Sequence, residues 1–300
     1  YKNGASQVSA HLWFNDSDRE LPGPVTTVQQ DFDERQTDRS FRGVVKYSSD
    51  GGRLTAGVTA GFSHDINRYF HMSPANNGDN NSSTAMLRMR LHLRLSEKTG
   101  LTLNAGDTFE RASALSFEKN ERRNLFSISV AARSNPLPRL NLLLQVRQAA
   151  VTEVKMPPEV TAGASWMLSP GGEHLLKVSL SRNTKLPCFN DLYWLPGGNP
   201  ELEPETSSGG EISWSYSGIS SPENRTSLDL SLHASRVDEL IQWIPGQSGL
   251  WHAVNLRSVN LSGIEARAGN RRTIARWKIH GWLNYALTRT VISGTDISND

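Results

Sequence analysis

"LRMRLHLRL", residues 87–95, alternates apolar and polar side chains without a break. Leucine or methionine occupies every odd position, and arginine or histidine occupies every even position. In an α-helix successive residues advance by about 100°, so this pattern would distribute leucine and arginine around the whole cylinder. In a β-strand alternate side chains point to opposite faces, which gives one apolar face and one basic face. The stretch is therefore predicted to be a strand.

The same two-residue period recurs along the chain, for example in "LTAGVTAGF" (54–62) and "SLDLSLHAS" (227–235). No comparable stretch has the period of an amphipathic helix, so the fold is predicted to be all-β. The thirteen segments with the strand pattern lie near residues 7–15, 39–48, 53–63, 84–95, 101–108, 122–133, 140–149, 158–168, 174–182, 209–217, 226–236, 259–268 and 274–289.

The connections between these segments alternate strictly between short and long. The short ones lie near 48–52, 96–100, 134–138, 169–173, 217–224 and 269–272. The long ones lie near 16–38, 64–83, 109–121, 150–157, 183–208 and 237–258. In an up-and-down antiparallel sheet this alternation places all tight turns at one end and all long loops at the other. Outer-membrane barrels have this asymmetry.

The composition restricts the class of protein further. Only 37% of the residues are hydrophobic, which is little for a large soluble core, and the net charge of +2 is too small to indicate a nucleic-acid partner. No stretch approaches the roughly 20 apolar residues of a transmembrane helix. The single cysteine, Cys188, excludes an internal disulfide and a cysteine-based metal site.

Two features favour a membrane barrel over a soluble β-rich binding module, whose alternation would look similar. Segments of about nine to eleven residues match a tilted membrane crossing. Trp277 and Tyr285 lie eight residues apart on one apolar face, which separates their rings by about 20 Å along the membrane normal, close to the spacing of two aromatic girdles. The leucines of 87–95 are then predicted to face lipid, and Arg88, Arg90, His92 and Arg94 to face a wet interior.

Residues 182–205, "RNTKLPCFNDLYWLPGGNPELEPE", resemble the signature loop of TonB-dependent outer-membrane receptors. The "FNDLYW" wording is most similar to the cobalamin-receptor branch. Weaker matches are "NLRSVNLSGIEAR" (255–267) and "LWFNDSDRELPGPV" (12–25). The signature positions are Pro187, Asn190, Leu192, Tyr193, Gly198, Asn199, Pro200, Leu202, Pro204 and Glu205.

The resemblance implies an antiparallel, up-and-down transmembrane β-barrel of 22 strands in the outer membrane of a Gram-negative bacterium. It implies active uptake of a large, scarce ligand such as cobalamin, a siderophore or a glycan. The implied partners are TonB, the receptor's own plug domain, outer-membrane lipid, the ligand and a surface lipoprotein. A passive porin is the alternative, since it shares the strand pattern without needing "GNPELEPE".

The sequence also departs from the family pattern. No plug domain or TonB box is recognisable, and an odd number of strands would make the first and last strands parallel, which prevents closure of a bacterial barrel. Residues 1–300 are therefore expected to be a portion of the barrel domain, about 13 strands, without the plug and the C-terminal strands.

Candidate ligand contacts are the aromatic and sulfur-containing side chains of the long loops, with packing on neighbouring loops as the alternative. These are Phe70, His71, Met72, Tyr193, Trp194, Trp243, Trp251 and His252. The arginines at 88, 90 and 94 could line a ligand path, but pairing with acidic plug groups is favoured.

Cofactor and catalytic chemistry have little support in the sequence. His92, His233 and His280 lie on three separate strands, which favours polar filling of the interior over metal ligation. "NNGDNN" (76–81) is rich in oxygen ligands for calcium but is more typical of a mobile loop. No motif for nucleophilic, metal or nucleotide chemistry is present, so the protein is not expected to be an enzyme.

Overall fold

The computed structural model describes residues 2–3, 6–21, 34–71, 73, 77–152, 154–221, 223–246 and 249–293. These residues form one antiparallel sheet of 14 strands, in which each strand pairs with its neighbours in sequence. One short helix, α1, lies between β10 and β11. Within the described ranges, no helix is long and apolar enough to cross a membrane.

The elements and their bounds follow in chain order. They are β1 (Lys2–Asn3), β2 (Ser6–Leu21), β3 (Glu34–Asp50), β4 (Leu54–Phe70), β5 (Gly78–Arg94), β6 (Thr99–Ala114), β7 (Glu121–Leu137), β8 (Leu140–Val151), β9 (Glu159–Met167), β10 (His174–Lys185), α1 (Phe189–Tyr193), β11 (Glu205–Ser221), β12 (Asn224–Pro245), β13 (Trp251–Ile274) and β14 (Trp277–Ser293).

The up-and-down all-β fold is confirmed, with two short elements that the sequence pattern missed. The fourteenth strand is β1, whose Lys2 and Asn3 pair with Gln7 and Ser6. A two-residue strand has no period to detect. Helix α1 is only five residues long, which is also too short for a helical period to show.

Most strands are longer than the nine to eleven residues predicted. Eight of them have 16 or 17 residues, and β12 and β13 have 22 and 24. Towards the long loops, backbone pairing continues where the apolar face has ended. On β2 and β3 ion pairs take over there: Arg39 contacts Asp16 at 3.0 Å, and Arg35 contacts Asp18. The alternation stops at this boundary, so the predicted segments stopped with it.

The two faces of the sheet differ as the opening stretch predicts. Arg88, Arg90 and His92 line a cavity of about 1070 Å³ shared by side chains of seven consecutive strands, β2 to β8. A cavity shared by so many neighbouring strands lies on the concave side of a curved sheet. Leu91 therefore lies on the convex side, where it is 44% exposed beside Ala56 and Leu103.

A conventional buried core is small in the described part of the chain, because the large apolar side chains lie on the convex face. The buried apolar residues are Phe117, Ala149, Leu202, Ala253 and Val259. This distribution is typical of a sheet whose apolar face meets lipid.

Shorter and longer connections alternate along the chain as predicted, but the connection predicted at 237–258 covers only 246–250. Short connections, such as 51–53 and 275–276, join the strands at one end of the sheet, which we call the turn end. The longer ones, including 115–120 and 186–204, join the strands at the opposite end, which we call the loop end.

Candidate functional site

The candidate site is a cavity of about 600 Å³ at the loop end of the concave face, called the loop-end cavity below. Polar side chains from β2 to β5 form one wall, including Asn15, Asp38, Arg42, Asp65, Asn67 and Asn80. The other side is lined by Phe117 and by Cys188, Phe189, Asn190 and Trp194. The cavity therefore combines hydrogen-bonding groups on one side with aromatic surface on the other.

Charges on the polar wall are compensated within the wall. Arg42 donates to Asp65 at 3.2 Å, and Arg19 lies 3.2 Å from Asp38. The Asn67 amide also donates to Asp38, at 2.5 Å. The wall consequently presents amides and paired ions rather than an excess of one charge. Such a surface suits a ligand that is polar but carries little net charge.

The opposite wall belongs to the signature segment, defined here as residues 187–205. Helix α1 begins after Cys188, whose backbone N–H donates to Asp191 Oδ2 at 2.9 Å. Tyr193 packs edge-on against Phe117 at 6.3 Å between ring centroids, and Phe189 stacks on Tyr193 at 6.2 Å. Trp194 follows Tyr193 directly in the chain and is 41% exposed at the cavity.

Contacts with β12 and β13 fix one side of the signature segment. Trp243 Nε1 donates to Asp191 Oδ1 at 3.0 Å, and the Ala253 N–H donates to the Gly197 carbonyl at 2.8 Å. A Cβ at Gly197 would lie 1.9 Å from the Trp251 carbonyl oxygen, so only glycine fits this close approach. The Asn255 amide exchanges hydrogen bonds of 2.9 and 3.0 Å with the Glu203 backbone.

Contacts with β6 and β7 fix the other side. Arg123 donates to Glu110 and to the Pro187 carbonyl, both at 2.7 Å, and its guanidinium lies 4.9 Å from the Phe189 ring centroid.

The C-terminal end of the segment is held by β10 and β12. There, buried Glu205 accepts from Lys185 at 3.2 Å and from the Ile241 N–H at 3.0 Å. The signature segment is thus a rigid strap across the loop end.

Asp191 is an ionised carboxylate that accepts hydrogen bonds within the signature segment and from β12. Burial by itself raises the pKa of the Asp191 carboxyl, but hydrogen bonds from Cys188 and Trp243 outweigh burial, so the pKa lies below its ordinary value. Burial and the hydrogen bond to Asp191 raise the pKa of the Cys188 thiol. Asp191 is therefore ionised at neutral pH, and Cys188 is a neutral thiol.

Of the predicted ligand contacts, some lie at the loop-end cavity and others lie away from it. Tyr193 and Trp194 belong to the wall of the loop-end cavity or its support. Phe70 ends β4 on the convex side, away from the cavity, and His71 Nε2 lies 3.1 Å from Glu34 Oε1. Met72 lies outside the described residues.

The assignment of Trp243, Trp251 and His252 to a long loop was wrong. Trp243 lies within β12, while Trp251 and His252 begin β13, so the connection is only 246–250. Their strands continue to pair, with Trp243 opposite Ala253 and His252 opposite Ile244. Trp243 is used to hold the signature segment, whereas Trp251 is 58% exposed.

The predicted signature positions occupy the strap. Pro187, Leu202 and Glu205 are buried, whereas Asn190 and Pro200 are exposed, and Leu192 and Pro204 are half-buried. The Gly198 N–H donates to the Trp194 carbonyl. The Asn199 side chain donates to the Ala253 carbonyl at 3.4 Å.

Of the four residues predicted to face the interior, Arg90 and His92 have hydrogen-bond partners on β6. Arg90 donates to Asn104 at 3.0 Å, and His92 Nδ1 lies 3.0 Å from the Thr102 hydroxyl. Arg88 lines the larger cavity, and Arg94 is exposed beside Gly100.

The calcium site at 76–81 stays a prediction. Residue 76 is outside the described ranges, whereas Gly78–Asn81 belong to β5 rather than to a loop, and Asp79 contacts Arg68 at 3.4 Å. Within the described ranges, no group of three or more His, Cys, Asp or Glu residues could hold a metal ion.

Sequence reasoning missed Phe117, Arg123 and Asn67 as parts of the site. Their partners are far away in the sequence: Arg123 contacts Pro187 64 residues later, and Asn67 contacts Asp38 29 residues earlier. For Arg123 and Asn67 the strand register was needed, because Arg123 lies directly opposite Glu110 and Asn67 opposite Asp38.

Comparison with known proteins gives consistent results. A family model described as "TonB dependent receptor-like, beta-barrel" matches residues 3–300. The vitamin B12 transporter BtuB of Vibrio vulnificus is 37% identical over 108 residues, covering 34% of this chain and 17% of the relative. BtuB of Photobacterium profundum is 39% identical over 100 residues, covering 31% of this chain and 16% of the relative.

Among solved structures, the FrpB iron transporter from Neisseria meningitidis (F5-1 variant) aligns with a TM-score of 0.73 at 11% identity. The alignment covers 100% of this chain and 53% of the transporter. At this identity the likeness concerns the fold alone. The chain therefore spans about half the length of this solved transporter, and its matches cover less than a fifth of either curated relative.

Proposed function

The chain belongs to the TonB-dependent receptor β-barrel family, and we propose that it forms part of the barrel wall of an outer-membrane receptor for a corrinoid of the cobalamin class. The observation that carries the proposal is the 37% and 39% identity to two vitamin B12 transporters. Family membership favours this receptor role over a passive porin. The receptor's location is the outer membrane of a Gram-negative bacterium, with the convex leucine face in lipid.

The loop-end cavity supports a ligand of this chemistry. Cobalamin is large, is edged with amides and has apolar ring surface. Amide and paired-ion groups such as Asn67 and Asp65 match the amide edge, and the aromatic side chains of Trp194 and Phe117 match the apolar ring surface. An excess of positive charge, suited to a strongly anionic ligand, is not a feature of the wall described above.

Energy for uptake comes, in this proposal, from TonB acting through a plug domain of the complete receptor. The concave face offers polar groups for contact with such a plug, including Arg88 and Arg90 in the larger cavity. The strap formed by the signature segment keeps the loop-end wall in place while the interior rearranges. A preorganised wall reduces the entropy lost on ligand binding.

The test is uptake of radiolabelled cyanocobalamin by cells that lack the receptor gene, with and without the full-length gene restored. We expect restoration to recover uptake only when TonB is present. Uptake of a ferric siderophore in the same cells is the control, and it should not depend on the receptor. Equal cyanocobalamin uptake with and without the gene, or uptake that does not need TonB, contradicts the proposal.

A further inference from the structure

One row of side chains crosses the convex face immediately beyond the apolar band, on the loop-end side. The register aligns Phe41, His64, Ser83, Arg111 and Arg122 across β3 to β7. The row next to it, towards the turn end, is apolar on β4 to β6, where Phe62 aligns with Ala85 and Phe109. The two arginines therefore lie where the apolar surface ends.

Arg111 and Arg122 are directly opposite each other on neighbouring strands, and both are exposed. Directly opposed residues have their Cβ atoms about 4.5–5.5 Å apart, and like charges in such a pair destabilise the sheet. The adjacent pair on the concave face is complementary instead: Arg123 contacts Glu110 at 2.7 Å. An anionic group in contact with both arginines would remove this destabilising repulsion.

The described residues do not supply that counter-charge. Two convex-face arginines on β3 and β4 do have carboxylate partners: Arg39 lies 3.0 Å from Asp16, and Arg68 lies 3.4 Å from Asp79. No salt bridge involves Arg111 or Arg122 in the described part of the chain. Asp107, on the same face of β6, is four residues from Arg111, about 13 Å along the strand and beyond ion-pair distance.

We infer that Arg111 and Arg122 together bind the phosphate group of a lipid headgroup in the outer leaflet. Two guanidinium groups can each donate paired hydrogen bonds to one phosphate, which removes their mutual repulsion. The Ser83 hydroxyl, next in the row, is a further donor and lies 2.8 Å from His64 Nδ1. The inference rests on the membrane placement in the proposed function, but it concerns lipid rather than the transported ligand.

The apolar surface beside the pair identifies a lipid rather than free phosphate as the occupant. Phe109 is the next residue after Arg111 on this face, and Phe126 is the second after Arg122, beyond Asn124; the two rings are 44% and 48% exposed. Acyl chains attached to the bound headgroup would cover these rings. Free phosphate would use only the guanidinium groups and leave the rings uncovered.

The experiment compares the full-length receptor with the double variant Arg111→Gln/Arg122→Gln in nanodiscs. The bilayers contain phosphatidylcholine with either a bis-phosphorylated lipid A or its dephosphorylated form, and bound lipid is counted by native mass spectrometry. The control, Arg39→Gln/Arg68→Gln, removes the same charge from the same face at arginines that have carboxylate partners. We expect the double variant to lose at least about tenfold in affinity for the phosphorylated lipid, and the control to lose less than about threefold.

Thermal stability provides a second readout with a change of sign. In uncharged detergent, Arg111→Gln should leave the melting temperature unchanged or raise it, because it relieves repulsion. In bilayers with phosphorylated lipid the same substitution should lower it. A decrease of equal size in both media would overturn the inference.

Other outcomes are equally decisive. Equal binding of phosphorylated and dephosphorylated lipid, or equal losses in the double variant and the control, would overturn the inference. Full displacement of the lipid by millimolar inorganic phosphate would reduce the pair to a free-anion site and contradict the lipid assignment. Cyanocobalamin binding is measured in the same samples. If one of these outcomes occurs while cyanocobalamin binding persists, only the lipid inference fails. If the receptor does not insert into bilayers, the lipid inference and the proposed function both fail.

Discussion

Leu91→Arg tests whether the convex face of β5 meets hydrocarbon. Leu91 lies in an apolar run from Ala85 to Leu95 on one face of the strand. That run spans ten residues, which at about 3.3 Å per residue and a tilt of about 40° corresponds to about 25 Å along the membrane normal. Leu91 lies about 10 Å from the turn-end limit of this band, which is close to the midplane.

Arginine near the midplane of a barrel destabilises it by about 2–4 kcal/mol, equivalent to a factor of about 30 to 1000 in the unfolding equilibrium constant. Leu95→Arg, at the edge of the band, should cost only about 0–1 kcal/mol. His92→Lys places a cation on the concave side, where a lysine can still donate to Thr102. Repulsion from Arg90 and Arg94 is weak in a hydrated interior, so its cost should stay below about 1 kcal/mol.

The assay is urea-induced unfolding of the full-length receptor in phospholipid vesicles, followed by tryptophan fluorescence, for all three variants. The expected order of cost is Leu91→Arg, then Leu95→Arg and His92→Lys at similar small values. Depth dependence is the decisive feature, because a soluble sheet would also be destabilised by arginine in an apolar face. Equal costs at positions 91 and 95, or a larger cost at 92 than at 91, would refute the assignment of the two faces.

Three further predictions concern the signature segment. Gly197→Ala should accelerate proteolysis within the signature segment while leaving the barrel folded, because its Cβ would meet the Trp251 carbonyl at 1.9 Å; Gly281→Ala, with nothing within 4 Å, is the control. Trp243→Phe removes the hydrogen bond to Asp191 and should weaken ligand binding about fivefold, and a loss no larger than that of Trp251→Phe would contradict this. Asp191 has a pKa lowered from 3.8, so its stabilisation of the strap should be complete above that value and be lost as the pH falls below it. Protease sensitivity measured from about pH 5 down to about pH 2 should show this step below the ordinary carboxyl pKa, and Asp191→Asn should abolish it.

The architecture was predictable because lipid imposes a simple rule on each strand. Alternation in "LRMRLHLRL" follows directly from one apolar and one wet face, and it predicted β5 correctly. The rule ends where the convex face becomes polar. Arg39 and Asp16 extend β2 and β3 beyond that point through an ion pair that no period reveals. Strand ends therefore could not be read from the pattern.

The site was predictable only in part, for a related reason. Tyr193 and Trp194 could be selected because they lie within a recognisable motif. The role of Trp243 could not, because its partner Asp191 is 52 residues away and the two meet only after β12 has extended beyond its predicted end. Phe117 likewise gains its role from packing against Tyr193 across the loop end.

The most direct test of the central claim is equilibrium binding of cyanocobalamin to the purified full-length receptor in detergent. Trp194→Ala removes aromatic surface from the loop-end cavity, whereas Trp166→Ala removes a comparable ring from the convex face near the turn end. We predict saturable binding that Trp194→Ala weakens at least about tenfold, as expected for a central aromatic contact, while Trp166→Ala leaves the affinity within about twofold. Absence of cyanocobalamin binding, or equal affinity in the two variants, would contradict the account.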